Sequence, residues 1–352
     1  MADRPLDILL TTFPAHRSGN VGDHLITHSF MKMLRSRVPL YAPLVLFREE
    51  CLDRYPESQV RSIVAPGFSV LDETYPKLFG LYTDLTRLQN FYPVGCSFQH
   101  TLPRFEAFEN HTYGERTSEF LQYVVRASGP MLCRDQLIAD MLLRNGIEAE
   151  YCGDLAIYDE SRIGTQFVPP SKIDSLVFTI QHHDRYDDQS FEVLRQIERE
   201  FPGARRIVAF HSKPNRRSQK IARYAETLGF NAVSLCGDVE NLKIYDAIDL
   251  HIGYRLHGHI AFLRRRKPSV LLVEDARSFG FANTAGTSVG CFDALAAGAV
   301  HTDAETPGKA IAFVRSQVAE GFSDYLPLFE FIDSNYAKII APYFDSLAKK
   351  FL

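Results

Sequence analysis

The chain has 352 residues, of which 45% are hydrophobic and 23% are charged, proportions that exclude a disordered protein. With 39 lysine and arginine residues against 43 aspartate and glutamate residues, the formal net charge is -4, which argues against a general nucleic-acid-binding protein. At roughly 100–200 residues per domain, the length predicts two domains or one large one.

No pattern typical of a membrane span or a secretion signal is present. The best apolar run, Ser269–Val273, has only the length of a strand, whereas a membrane-spanning helix needs roughly 18 residues. The segment Met1–Pro5 leads directly into a strand-like run, without the layout of a signal peptide. The six cysteines form no C-x-x-C pair. We therefore expect free thiols, a cytoplasmic location and no transmembrane segment.

In the first half of the chain, short apolar runs alternate with helical patterns. The run Leu6–Thr11 is continuous and apolar, as in a parallel strand covered on both faces. Apolar residues then recur at helical spacing from Leu25 to Leu34, and Pro39 ends that helix. The elements predicted next are the strands Tyr41–Phe47 and Ser62–Ala65, the helix Arg116–Val125, the strand Pro130–Cys133, the helix Gln136–Arg144 and the strand Ala149–Cys152.

A segment with little apolar periodicity, residues 158–174, separates the two halves. We predict the domain boundary here, with residues 1–165 as the N-terminal, acceptor-side domain and residues 166–352 as the C-terminal, donor-side domain. The second half again alternates strands and helices. The predicted strands are Leu176–Ile180, Ile207–Phe210, Val233–Leu235, Leu250–Ile252 and Ser269–Val273, and the predicted helices are Ser190–Glu200, Arg217–Leu228, Val239–Ala247 and His257–Leu263.

Further helical patterns cover Val300–Val318 and the tail from Tyr325, which is a candidate for crossing back onto the N-terminal domain. Strand–helix alternation in both halves predicts an α/β protein with two doubly wound, Rossmann-like domains facing a cleft. A ligand is expected between the C-terminal ends of the strands.

A glycine-containing loop lies between the first strand and the first helix. In Gly19–Asp23, two glycines allow the backbone to turn tightly and to approach a ligand, while Asp23 lies near the helix N-terminus. The loop has neither the Gly-Lys-Ser/Thr of a P-loop nor the spacing G-x-G-x-x-G. Asp23 is therefore either a binding residue or only the N-cap of the helix.

Two further loops carry an arginine at the C-terminal end of a predicted strand. Arg134 would bind a carboxylate or phosphate, or else pair with Asp135, the predicted N-cap of the next helix. Arg255 and His257 follow Gly253 and begin a helix, so a fixed charge and a group that titrates near neutral pH lie at the positive end of that helix. This second cluster favours a functional site for an anion.

Three other patterns are less specific. His24 and His28 have metal-ligand spacing on one helix face but no clear third ligand, so we predict a structural role and no metal site. The basic run Arg264–Lys267 ends a helix and is predicted to face solvent. Asp275 follows the next strand and would bind sugar hydroxyls or pair with Arg277.

Together the three loops resemble the motifs of the polysaccharide pyruvyl transferase family. Gly19–Ile26 resembles the N-terminal motif of that family, Cys133–Asp135 resembles its middle motif, and Tyr254–Ala261 resembles its C-terminal signature. The segments occur in the family's order and span residues 6–285. One departure is the dipeptide Gly153-Asp154, which stands where the family usually has Asp-Pro.

The resemblance implies a fold like that of the GT-B glycosyltransferases and the transfer of pyruvate from phosphoenolpyruvate onto a sugar as a ketal, with release of phosphate. It implies no cofactor besides this donor substrate, and an acceptor that is a sugar or a lipid-linked saccharide, reached by peripheral membrane contact. The predicted site comprises His257 and Asp23 as catalytic residues and, as substrate-binding residues, Arg134, Arg255, Leu256, Asn20, Gly22 and Asp275.

The chemistry explains why these residue types are needed. Phosphoenolpyruvate carries a carboxylate and a phosphate, so a protein with a net negative charge must concentrate cations locally, here Arg134 and Arg255. Ketal formation requires a proton on the enol methylene, attack of a sugar hydroxyl on C2, and displacement of phosphate by a second hydroxyl. We assign the proton donor to His257 and the acceptor of the hydroxyl proton to Asp23. No step requires a metal.

Other functions fit the same features. A nucleotide-sugar glycosyltransferase of the GT-B type would also use two α/β domains and a cationic cleft, for a diphosphate leaving group. A non-catalytic protein that binds an anionic glycan or metabolite would bind the donor without turnover. A metal-dependent hydrolase that uses His24, His28 and the segment His182–Asp184 is a third alternative.

Overall fold

The computed structural model describes residues 5–13 and 18–351, so the first four residues of the N-terminal segment Met1–Pro5 lie outside the described residues. The chain forms two parallel six-stranded sheets with flanking helices. The first sheet has the order β2-β1-β3-β4-β5-β6 and consists of β1 (Leu6–Thr11), β2 (Leu44–Phe47), β3 (Val60–Pro66), β4 (Phe91–Cys96), β5 (Met131–Cys133) and β6 (Ala149–Tyr151).

The second sheet has the order β12-β11-β10-β7-β8-β9 and consists of β7 (Ser175–Thr179), β8 (Arg205–Phe210), β9 (Asn231–Ser234), β10 (Leu250–Gly253), β11 (Ser269–Val273) and β12 (Cys291–Asp293). The helices are α1 (Val21–Arg35), α2 (Glu106–Glu109), α3 (Glu115–Ser128), α4 (Gln136–Arg144), α5 (Asp187–Glu200), α6 (Arg216–Thr227), α7 (Leu256–Leu263), α8 (Ala276–Ala282), α9 (Thr306–Ala319), α10 (Tyr325–Asn335) and α11 (Ala341–Ala348). The predicted α/β class with two doubly wound sheets is confirmed.

Continuous apolar runs form the central strands because both faces of each sheet are covered. Ile8 and Leu9 in β1 are fully buried, and so are Leu271 and Leu272 in β11. Since successive side chains of a strand point to opposite faces, burial of consecutive residues means that both faces are packed.

Four of these strands and helices were not predicted from the sequence, namely β4, α2, α8 and β12. Strand β4 contains Pro93 and Gly95, residue types that normally interrupt a strand. Gly95 has a φ of +65° and lies where the register against β5 shifts, which lets the strand continue to Cys96. The segment Val239–Ala247, predicted as a short helix, is a 3-10 helix.

The topology of both sheets brings their loops to a common cleft. β1 lies between β2 and β3, and β7 lies between β8 and β10. At such positions the connections leave to opposite sides and open a crevice outside the carboxyl ends of the strands. The two crevices meet, because Val21 N donates to His211 O at 2.9 Å and Gly237 N donates to Gly19 O at 3.0 Å.

The end of the chain packs on the first half of the molecule. The ring of Phe344 lies 5.4 Å from that of Phe30, and the ring of Phe351 lies 4.8 Å from that of Tyr41. The division between residues 165 and 166 stays a prediction. Within the part of the chain that the structure describes, no helix combines the length and apolar composition needed to cross a membrane.

The basic run Arg264–Lys267 was predicted to face solvent, and this prediction is wrong. Arg264 and Arg266 are each only 6% exposed. The Arg264 guanidinium donates to Ser29 Oγ at 2.9 Å and to Asp159 Oδ2 at 3.2 Å, and thereby ties α7 to elements of the first half. The run therefore holds the two halves together, because its helix ends against another element rather than in water.

We expect Arg264→Ala to lower the free energy of unfolding by about 3–5 kcal/mol, since it removes a buried guanidinium and its hydrogen bonds to Ser29, the Ala156 carbonyl and Asp159, and leaves only Lys32, among the described residues, paired with Asp159. Arg54→Ala is the matched control, because Arg54 forms an exposed ion pair with Glu50 whose loss costs about 1 kcal/mol or less. Urea unfolding of both variants measures the difference. Equal losses would contradict a role for Arg264 in joining the halves.

Candidate active site

Two adjoining cavities lie where the C-terminal strand ends of the two sheets meet. The second-sheet cavity is lined by Asn20, His182, His211, Tyr254, Arg255, Leu256, His257, Glu274, Asp275 and Arg277. The first-sheet cavity is lined by Leu10, Thr11, Thr12, Asp23, Ile26, Thr27, Arg48, Pro66, Gly67, Phe79, Ser97, Gln99, Arg134, His257 and Arg277. His257 and Arg277 line both cavities and therefore form part of the wall between them.

His257 lies in the first turn of α7 and is 8% exposed. Its Nε2 atom is 3.4 Å from Oδ2 of Asp154, a buried carboxylate that follows β6. Burial alone would raise the pKa of the Asp154 carboxyl, but the neighbouring His257 and Arg134 outweigh burial, so this pKa lies below its ordinary value. An ionised carboxylate from the first half thus lies within ion-pair distance of an imidazole from the second half, although no hydrogen bond joins the two atoms.

The N-terminus of α1 packs directly against His257. A Cβ atom placed on Gly22 would lie 2.5 Å from His257 Nδ1, so only glycine allows this approach. The N-cap of α1 is Asn20, whose Oδ1 accepts from Gly22 N at 3.1 Å. Interpreting Asp23 as the N-cap is therefore wrong. The Asp23 carboxylate instead accepts from Ser18 Oγ at 2.8 Å and from Asn20 Nδ2 at 3.2 Å, and it lines the first-sheet cavity.

Arg134 follows β5 and is 5% exposed. Its Nε is 3.7 Å from Asp135 Oδ2 and its Nη1 is 3.8 Å from Asp154 Oδ2, distances longer than a hydrogen bond. Its Nε and Nη2 atoms have no hydrogen-bond partner among residues 5–13 and 18–351. Asp135 caps α4 by accepting from Ile138 N at 3.0 Å, as predicted. The Arg134 guanidinium therefore keeps donors available for a ligand.

Arg255 occupies the N-cap position of α7, and Leu256 is its first residue. The Arg255 guanidinium contacts the ring of His182 and donates to Ser212 Oγ at 3.2 Å. Burial lowers the pKa of Arg255 to about 10, although Glu274 acts in the opposite direction. The guanidinium thus stays cationic at neutral pH at the positive end of a helix.

Asp275 and its neighbours form the far side of the second-sheet cavity. Asp275 Oδ1 accepts from Ser278 N at 3.0 Å, which caps α8, and Oδ2 accepts from Arg277 Nε at 2.8 Å. Asp275 was expected either to bind sugar hydroxyls or to pair with Arg277, and this geometry matches the pairing with Arg277. Burial, together with the charge of Asp275, raises the pKa of the Glu274 carboxyl to about 8. Glu274 also accepts from His182 N at 2.7 Å.

Seven of the eight predicted site residues line the two cavities, and Gly22 contacts the His257 ring instead. The charged residues and histidines of the cavities, or in contact with His257, that were not predicted as site residues are Arg48, Asp154, His182, His211, Glu274 and Arg277. Each of them follows the C-terminal end of a strand, which is the signal that would have found them. His24, by contrast, accepts from Val239 N at 2.9 Å through Nδ1, which is a structural contact.

Sequence comparison identifies the family. The family model for polysaccharide pyruvyl transferase matches residues 20–275, which include most of the residues that line the two cavities; Leu10, Thr11, Thr12 and Arg277 lie outside the match. The chain therefore belongs to the polysaccharide pyruvyl transferase family. No curated protein matches the sequence at a significant level.

Solved structures similar to the chain share little sequence with it. A UDP-N-acetylglucosamine 2-epimerase from Rickettsia bellii is 10% identical over 98% of each chain, with a TM-score of 0.49. A mutant O-GlcNAc transferase from Thermobaculum terrenum is 10% identical over 99% of this chain and 68% of that chain, with a TM-score of 0.43. In a structure of accessory secretory proteins 1, 2 and 3 of Streptococcus pneumoniae, the match has 9% identity and a TM-score of 0.41, and covers 92% of this chain but only 58% of that one.

We expect Gly22→Ala to lower the free energy of unfolding by about 1–3 kcal/mol, because the added methyl group would displace the His257 ring. Gly308→Ala in α9 is the matched control, since a Cβ there meets no atom within 4 Å and alanine stabilises a helix by up to about 1 kcal/mol. Chemical unfolding compares the two variants. A stabilising Gly22→Ala would show that the close approach to His257 does not exist.

A second prediction concerns the pH dependence of stability. Burial raises the pKa of the Asp135 carboxyl to about 7, against about 3.9 for an exposed aspartate. Between these values the folded state keeps a proton that the unfolded state has released, so stability falls as the pH rises from about 4 to 7. Asp135→Asn keeps the helix cap but cannot titrate.

The variant should therefore lose less stability than the wild-type protein over this pH window, by on the order of 1 kcal/mol per pH unit. Urea unfolding of both proteins at pH 5 and pH 7 measures the two slopes. Parallel slopes would mean that Asp135 is ionised throughout.

Proposed function

We propose that the protein transfers pyruvate from phosphoenolpyruvate onto a sugar of a polysaccharide, such as an exopolysaccharide, or of its precursor, as a ketal. Membership of the family supports a pyruvyltransferase, and the donor and the ketal product are our proposal. The observation that carries it is the position of His257 and Arg277 in the wall between two cavities of different chemistry. The family match favours this reaction over nucleotide-sugar glycosyl transfer.

The second-sheet cavity suits the donor. Arg255 and Arg277 present guanidinium groups there, and the N-terminus of α7 adds its positive dipole. Such groups bind a phosphate by charge-assisted hydrogen bonds. The donor carboxylate would extend toward Arg134, whose Nε and Nη2 have no partner among the residues that the structure describes.

The first-sheet cavity suits the acceptor sugar. Ile26, Pro66 and Phe79 offer an apolar surface for the face of a sugar ring, while Ser97 and Gln99 offer polar groups for its hydroxyls. The Asp23 carboxylate lines the same cavity. An acceptor bound there would approach the donor across His257.

In the proposed reaction, His257 donates a proton to the enol methylene carbon, and C2 becomes an oxocarbenium-like centre. The first sugar hydroxyl forms a bond to C2 and gives its proton to Asp23. The second hydroxyl then bonds to C2 as the bond from C2 to the phosphate oxygen breaks, and its proton returns His257 to the starting state. The proton held by Asp23 leaves with the phosphate as hydrogen phosphate, so Asp23 is again a carboxylate. Arg255 and Arg277 stabilise the charge on the departing phosphate.

Asp154 orients the imidazole during these steps. Its Oδ2 atom is 3.4 Å from His257 Nε2, and both side chains are buried. The proposed chemistry uses no cofactor besides the donor. A lipid-linked acceptor would be met by peripheral contact at the cytoplasmic face of a membrane, a location that rests on the sequence alone.

The test is phosphate release on incubation with phosphoenolpyruvate and a panel of sugar acceptors. His257→Ala should lower turnover roughly 10²–10⁴-fold while phosphoenolpyruvate binding is kept, because the variant loses the proton donor but no guanidinium group. The matched control is His301→Ala at an exposed histidine, which should keep full turnover. Near-normal turnover by His257→Ala would remove this residue from the acid role, and release of nucleotide from a sugar nucleotide would favour a glycosyltransferase.

A further inference from the structure

Arg48 is a cation in the first-sheet cavity that forms no ion pair with any residue that the structure describes. It follows β2, and its Nε atom is buried without a hydrogen-bond partner in the described part of the chain. Among the same residues, no carboxylate lies within ion-pair distance of its guanidinium. The family motifs that identified the other site residues do not include this position.

The surrounding structure holds Arg48 in place. Its backbone N donates to Thr11 O at 3.0 Å, and its carbonyl oxygen accepts from Gly80 N at 2.9 Å. The guanidinium carbon lies 5.5 Å from the centre of the Phe79 ring, a cation–π contact that fixes the side chain on the cavity wall. Burial lowers the pKa of Arg48, although Asp23 acts against this shift.

No charged group that lines the cavity bonds directly to Arg48, although Asp23 acts on it at longer range. Asp23 is the one carboxylate among the residues that line the first-sheet cavity, and its oxygens accept from Ser18 and Asn20. Arg277 is paired with Asp275 outside this cavity. Arg48 is half-buried, and its buried Nε atom lacks an acceptor. A partly desolvated cation without a hydrogen-bonded anion is costly, so a site that keeps one is prepared for a ligand of opposite charge.

We infer that Arg48 binds an anionic group, a carboxylate or a phosphate, carried by the acceptor saccharide. This inference rests on the proposed function, in which the donor's phosphate and carboxylate are met by Arg255, Arg277 and Arg134. Arg48 is then the one guanidinium of the two cavities that the donor does not use. Its position beside Phe79 places it next to the apolar surface for the sugar ring, so the acceptor is a charged sugar.

The experiment compares three probes that share a glucose ring, namely methyl β-glucuronide, glucose 6-phosphate and the neutral methyl β-glucoside. Binding of each is measured by calorimetry with and without saturating phosphoenolpyruvate. The wild-type protein should prefer at least one charged probe about 10- to 100-fold over the neutral one, the value of a hydrogen bond to a charged group. Tighter binding of methyl β-glucuronide would identify the anionic group of the acceptor as a carboxylate, and tighter binding of glucose 6-phosphate would identify it as a phosphate.

Arg48→Gln should abolish this preference while leaving the affinity for phosphoenolpyruvate unchanged, and Arg48→Lys should keep part of it. Arg116→Gln is the matched control, because Arg116 is also an arginine over an aromatic ring, 5.4 Å from the centre of Tyr75, but lies outside both cavities. Circular dichroism confirms that the variants are folded.

Equal binding of all three probes by the wild-type protein would overturn the inference without any variant. A loss of phosphoenolpyruvate affinity in Arg48→Gln would also overturn it, because Arg48 would then serve the donor. If the wild-type protein does not bind phosphoenolpyruvate, the proposed function fails, whereas the preference for charged probes measured without donor still decides the role of Arg48.

Discussion

The candidate site depends on one buried contact, between the carboxylate of Asp154 and the imidazole of His257. The carboxylate follows the last strand of the first sheet, and the imidazole begins a helix of the second sheet. Neither group would be buried favourably alone, because a buried carboxylate needs a partner that compensates for lost hydration. Gly22 makes the contact sterically feasible by letting α1 approach the same ring. The site therefore exists only when both halves are in place.

Around this contact, the position of each carboxylate relative to a guanidinium decides its charge state. Arg277 donates directly to Asp275 and holds the pKa of that carboxyl well below its ordinary value, against the effect of burial. Glu274 is equally buried but is not bonded to a guanidinium, so burial dominates and its pKa is raised. Because Glu274 is protonated at neutral pH, the net charge of the cleft is more positive than the number of its acidic residues indicates. A chain of net charge -4 can in this way attract an anionic ligand.

Most of the fold was predictable from the sequence because its central strands are continuous aliphatic runs. A run such as Leu6–Thr11 has only one stable environment, a sheet packed on both faces. Strand β4 escaped prediction because Pro93 and Gly95 hide its pattern, and only its neighbours β3 and β5 hold it in the sheet. The basic run after α7 was misplaced for a related reason. Helical periodicity marks where a helix ends, but not which element lies against that end.

Site residues were predictable where one short loop of the sequence already indicates their role. They were not predictable where the role depends on distant parts of the chain. Arg134, Arg255 and His257 each stand at a strand–helix junction, and junctions of parallel sheets converge at one edge. Asp154 and Arg48 follow strands as well, but each becomes a site residue only through a partner or a cavity built by distant segments. The sequence around Arg48 contains no feature that distinguishes it from a surface arginine. It is distinguished only in the tertiary structure, as a half-buried cation on an aromatic ring, whose buried Nε has no hydrogen-bond partner among the described residues.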